Sequence, residues 1–235
     1  MLDRNTLGVV LAHGAAQATI RRHLPFWTRS CGRVVVVVPN EQGFSLPGAE
    51  VIEAVDDGGA YSPSTNVRAR HALAHALELG YPYTMLLEYD SLAWGSIPDR
   101  AVPEHGAMAA CRWPNEPVSP IPGKEFISPF YLHFPHIYTR LALELVVGTL
   151  EESVPDDAEH GYTDRYLGLG VHRSGVPVLD WKAMGLTYSW ENISKHEHRV
   201  VECIHAVAGG ALFSHGIKDE ASLRRILAVS PWARA

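Results

Sequence analysis

The sequence predicts an α/β fold built on a largely parallel sheet flanked by helices. Three observations carry that reading. "LGVVLAH" (7–13) and "RVVVVVP" (33–39) are short Val-rich apolar runs, the pattern of parallel strands covered on both faces. Between them, "AAQATIRRHLPFWTRSCG" places Ile20, Leu24 and Trp27 on one helical face. The alternation then repeats, with the helical "NVRARHALAHALELG" (66–80) leading into the strand-like "TMLLE" (84–88).

Each element follows from local chemistry. Pro25 is expected to kink or cut the first helix, and Gly32 to close it. "EVIEAV" (50–55) is a weaker third strand. The helix over 66–80 carries an apolar stripe of Ala69, Ala72, Leu73, Ala76 and Leu77, with Asn66 as N-cap and Gly80 as C-cap. "AMAACRW" (107–113) reads as a strand, and the Pro-rich 114–124 as a long surface loop. Beyond it come a helix near His136–Leu150, an acidic loop at 151–161, a helix near Thr163–Ser174, a strand "VPVLDW", and a last amphipathic helix through Leu223, Ile226 and Leu227.

Composition narrows the function classes. A net charge of −6 with no basic stripe argues against a nucleic-acid partner. No apolar run approaches the ~18 residues of a membrane span. Cys31, Cys111 and Cys203 are far apart and odd in number, which suits reduced thiols in the cytoplasm. The apolar stretch Leu7–Ala12 is interrupted by His13 and preceded by no basic cluster, so it reads as a core strand rather than a signal peptide.

The chemistry concentrates in "MLLEYDS", where Glu88 and Asp90 flank Tyr89. On an extended backbone both side chains leave the same face. Carboxylates that close repel unless a cation or proton is shared, and Mn²⁺ or Mg²⁺ would resolve the conflict while also binding phosphates. The simpler reading is a pair of acids solvating a strand exit. Asp164 stands near the start of a helix, where a carboxylate suits the helix dipole. His215 and Lys218 precede the last helix in "FSHGIKDE".

Taken together these segments resemble the GT-A glycosyltransferases, soluble nucleotide-sugar-dependent transferases of bacterial type. Glu88-Tyr89-Asp90 is similar to that family's D-x-D motif, with Glu in place of the first Asp. "Thr163-Asp164-Arg165-Tyr166-Leu167-Gly168" is similar to its acidic motif, with Thr163 where a second acid often stands. "Ser214-His215-Gly216-Ile217-Lys218" looks like its C-terminal His–Lys element. The resemblance implies a single domain over 1–235 with a Rossmann-like sheet, divided into a nucleotide-sugar-binding half (1–113) and an acceptor-side half (114–235). It also implies metal-dependent transfer of a sugar from a UDP- or GDP-sugar donor to an acceptor hydroxyl. Asp164 would be the base of an inverting reaction, Glu88, Asp90 and His215 the metal ligands, and Lys218 a charge on the diphosphate.

Further candidates for the donor site are Asn66 and Arg70, one turn apart on a helix, His13 at a strand end, and Asp57 beside Asp56 in "VDDGG". For each, a structural role (a cap, an exposed Arg, a core His, an Asp-Gly turn) competes with the functional one. "KHEHR" (195–199) reads as a polar surface loop rather than a zinc site. Trp94, Trp181 and Trp190 are candidates for sugar stacking or for the core. Two other readings stand beside the transferase. One is a non-catalytic nucleotide-sugar-binding or scaffold module, favoured by Thr163. The other is a nucleotidyltransferase, for which "AHGAAQATIRR" is a poor phosphate loop.

Overall fold

The structure, a computed structural model, describes residues 4–12, 16–39, 44–54, 63–94, 102–112, 132–150, 163–180, 188–189 and 193–234. The Val-rich runs become neighbouring parallel strands, β1 (Thr6–Leu11) and β2 (Arg33–Pro39), with Val9 opposite Val35. β3 (Glu50–Ala54) extends the sheet beyond β2, and β4 (Tyr83–Glu88) pairs with the other side of β1. β6 (Met108–Arg112), β7 (Leu132–Thr139) and β8 (Val178–Asp180) complete seven strands in the order β3-β2-β1-β4-β7-β6-β8. β7 runs antiparallel to both of its neighbours, while the other pairings are parallel.

These strands are apolar at almost every position because both faces are covered. Val10, Val36 and Met85 point to one core, while Leu7, Val9, Val37 and Leu86 point to the other. The first core is closed by α1 (Gln17–Ser30), α5 (Glu197–Ala208) and α6 (Glu220–Leu227); the second by α2 (Pro63–Leu79), α3 (Arg140–Leu150) and α4 (Thr163–Ser174). The Ala69–Ala72–Leu73–Ala76 stripe of α2 is fully buried, as its spacing predicts. A smaller sheet, β5-β10-β9, joins Leu92–Ala93 to Phe213–Ser214 and Tyr188–Ser189.

Local expectations fail in four places. α1 continues through Pro25 instead of breaking; proline removes one backbone donor, and the carbonyl it frees belongs to the exposed Arg21, where water can serve it. Asn66 is not an N-cap, because α2 already begins at Pro63. Residues 136–139 are strand rather than helix: Ile137 and Tyr138 pair with β4 and β6, and the helix starts only at Arg140. "KHEHR" is a helix start, with Glu197 the first residue of α5. Gly80 does close α2, at φ +72°.

Candidate metal centre

The strand order reverses between β1 and β4, the position where open α/β sheets place ligands beyond their carboxyl ends. Leu11 and Glu88, the last residues of those strands, face each other across the ladder. Glu88 ends β4, and Tyr89–Asp90 form a turn closed by the Ser91 amide donating to the Glu88 carbonyl at 3.0 Å. The two carboxylates therefore converge through a turn, not through strand alternation.

That turn is held by parts of the chain remote in sequence. The Tyr89 amide donates to the Leu11 carbonyl, and the Tyr89 carbonyl meets His23 Nδ1 at 3.0 Å. Trp27 Nε1 donates to the Ser91 carbonyl at 2.8 Å, and the Gly216 and Ile217 amides donate to the Asp90 carbonyl. Each backbone carbonyl from Glu88 to Ser91 is thus satisfied. Burial pushes the His23 imidazole down to about 4, partly offset by its bond to the Tyr89 carbonyl, so it works as a neutral fastener.

Into this frame the segment before α6 delivers two more groups. His215 Nε2 lies 3.2 Å from Glu88 Oε2 and 3.7 Å from Asp90 Oδ1. Lys218 Nζ lies 3.4 Å from Asp90 Oδ2 and stands over the Tyr89 ring. The segment is anchored by Ser194, whose hydroxyl accepts from the Lys218 amide, and by Thr19 and Arg22, which donate to the Lys218 carbonyl. Asp219 then caps α6 by accepting from the Ser222 amide at 2.8 Å.

One donor atom each from Glu88, Asp90 and His215 fall within 4.8 Å of one another. Two carboxylates and an imidazole suit a hard or borderline divalent cation such as Mg²⁺ or Mn²⁺. The electrostatics fit as well. The Asp90 side chain is only 3% exposed, and its Oδ1 accepts no hydrogen bond from the described residues. Burial holds the Glu88 carboxyl above its ordinary value; Asp90 adds to this, and His215 and Lys218 oppose it. Asp164, in the first turn of α4, is held well above the ordinary carboxylate range by burial and then by Glu88. Glu88 thus shares like-charge repulsion with both Asp90 and Asp164, a conflict that a bound cation relieves.

Sequence reasoning and structure agree on bringing Glu88, Asp90, His215 and Lys218 together, and Asp164 lies close enough to Glu88 for their charges to interact. Asn66 is buried in the first turns of α2, with Oδ1 accepting no hydrogen bond from the described residues, and Arg70 is half-buried one turn on. Both lie at the sheet's carboxyl edge, where Arg68 between them donates to the Ala12 carbonyl at 2.5 Å. His13, Asp56, Asp57, Trp181 and Trp190 lie outside the described residues. Trp94 belongs to the core, its Nε1 donating to Ser214 Oγ. His196 and His198 are exposed and stack on each other.

Residues that the sequence reading did not select are His133, whose Nδ1 lies 3.5 Å from Asp164 Oδ2, and the fasteners His23, Trp27, Ser91 and Ser194. Only Trp27 gave a signal, as part of an apolar helix face. Cys31 and Cys203 are buried thiols, the latter with its Sγ 3.3 Å from Ser214 Oγ. Among the described residues no helix is long and apolar enough to cross a membrane. No protein-family model and no curated protein matches the chain.

Proposed function

We propose that the protein is a metal-dependent glycosyltransferase of the GT-A type, moving a sugar from a UDP- or GDP-sugar to an acceptor hydroxyl. The observation that carries this is the Glu88–Asp90–His215 cluster at the carboxyl edge of β4, with Lys218 beside it and Asp164 within electrostatic reach of Glu88. Glu88, Asp90 and His215 would hold Mn²⁺ or Mg²⁺, which supplies positive charge against the diphosphate leaving group. Lys218 adds a point charge for the same phosphates. Asn66 and Arg70, in the first half of α2, would contact the nucleotide end of the donor.

In this reading Asp164 takes the proton of the acceptor hydroxyl while that oxygen bonds to the anomeric carbon and the bond to the diphosphate breaks. His133 beside it fixes the direction of the carboxylate.

Isothermal titration with UDP and GDP, with and without Mn²⁺, tests the proposal. We expect one nucleotide to bind only with metal, and Asp90→Ala to weaken that binding at least about 100-fold, since even outer-shell changes cost 10–100-fold. No metal-dependent nucleotide binding by the wild type would overturn the reading. Binding without turnover of any donor would favour the non-catalytic module, in which the buried Thr163 simply replaces an acid.

A further inference from the structure

The imidazole of His215 has two nitrogens, and only Nε2 faces the carboxylates. Nδ1 meets the Ser91 hydroxyl at 3.0 Å. Ser91 is itself held by its backbone. Its amide donates to the Glu88 carbonyl, its carbonyl accepts from Trp27 Nε1, and the residue is 1% exposed. Water has no access from which to replace that hydroxyl. A metal-binding imidazole needs its remote nitrogen protonated and given an acceptor, which sets the tautomer and the ring plane.

We propose that Ser91 is the positioning residue of this metal centre: its hydroxyl accepts from His215 Nδ1–H and so turns the Nε2 lone pair toward Glu88 and Asp90. The idea rests on the metal-site reading above and assigns a role to a residue that touches neither metal nor substrate. It also explains the compactness of "EYDS". The residue that follows the second carboxylate orients a ligand supplied 124 positions later. Because Ser91 Oγ belongs to the same turn as Asp90, the carboxylates and the imidazole are set in register by one rigid unit. Thr is the one other residue that offers a hydroxyl on the same Cβ.

The test titrates Mn²⁺ alone into the full chain at pH 7.5, with free Mn²⁺ read by electron paramagnetic resonance. Wild type, Ser91→Ala, Ser91→Thr, His215→Ala and the Ser91→Ala/His215→Ala double variant are compared. Expected is a 10–100-fold weaker Kd for Ser91→Ala, with Ser91→Thr within about threefold of wild type. In the His215→Ala background, the same Ser91→Ala change should move the Kd less than about twofold, because the hydroxyl then has no imidazole to orient. The nitrogen modulation of a coordinated imidazole in the echo-detected spectrum should weaken in Ser91→Ala, a signature that a merely structural role would not move.

Wild-type affinity in Ser91→Ala would overturn the role of Ser91 while leaving the metal site standing, as would an equal loss with and without His215. Absence of Mn²⁺ binding by the wild type would remove the site itself, and this inference with it. Should Ser91→Ala not fold, Ser91→Cys keeps the volume with a much weaker acceptor. It should bind Mn²⁺ at least about fivefold more weakly than wild type, and wild-type affinity there would equally refute the role.

Discussion

His136 offers a test of the core that is independent of any ligand. It lies in β7, fully buried, with Nε2 facing the Leu132 carbonyl at 3.1 Å and Nδ1 facing the Tyr138 hydroxyl at 2.9 Å. Nε2–H donates to the carbonyl and Nδ1 accepts from the phenol, so both nitrogens are satisfied in the neutral ring. Burial pushes the imidazole down to about 4, with the bond to Leu132 opposing it. The folded pKa is therefore below the unfolded value of 6.5, and the unfolded chain takes up a proton first. Stability from this group is complete above pH 6.5, is lost as pH falls from 6.5 toward 4, and changes no further below that. At about 1.4 kcal/mol per pH unit, the window from 6.5 to about 4 amounts to about 3 kcal/mol. Urea unfolding followed by tryptophan fluorescence between pH 7.5 and 4.5 measures it, comparing wild type with His136→Gln. The variant is less stable at pH 7.5, and its stability should fall with acid by about one proton less than that of wild type. Parallel pH profiles would show that His136 accepts a proton without cost, and the account of its burial would be wrong.

Other outcomes follow from the same geometry. Gly8→Ala in β1 would set a Cβ 2.8 Å from Cys31 Sγ, so it should cost about 1–3 kcal/mol in urea unfolding. Adding Cys31→Ala should recover part of that loss; no recovery would place the strain elsewhere. Trp27→Phe removes the donor to the Ser91 carbonyl and leaves it buried without that partner, costing about 1–3 kcal/mol and weakening Mn²⁺ binding. Unchanged metal affinity would show that the turn does not need this fastener. Asp164→Asn should leave Mn²⁺-dependent nucleotide binding within about threefold while turnover falls 10²–10⁴-fold; a fall in binding alone would assign Asp164 to the donor site instead.

The parallel half of the sheet was legible because burial on both faces demands uninterrupted apolar residues, and runs such as Val34–Val38 have no other use. α2 was legible from its stripe; the proximity of Glu88 and Asp90 was legible from their spacing, though a turn rather than strand alternation produces it. Where the chain departs from expectation, a distant contact decides. Ile137 and Tyr138 are compatible with either helix or strand, and the antiparallel slot between β4 and β6 selects strand. His23, His133 and Ser91 carry no local pattern, because their partners are Tyr89, Asp164 and His215, 66, 31 and 124 positions away. Hydrogen bonds of that kind leave no periodicity to read.

The attachment of the 214–218 segment to the turn at Asp90 has a consequence for the protein's synthesis. A chain still on the ribosome and lacking residues beyond 212 already carries β1, β2 and β4, together with Glu88 and Asp90. It lacks the strand partner for Leu92–Ala93, the two amides that hold the Asp90 carbonyl, the imidazole and the lysine. Closing that contact spans most of the chain and so comes late in folding. Until it closes, Glu88 and Asp90 lack the imidazole and the lysine that oppose their charge. Only the 213–218 segment adds the imidazole and the lysine to the two acids, so the cluster is complete only after that segment has docked.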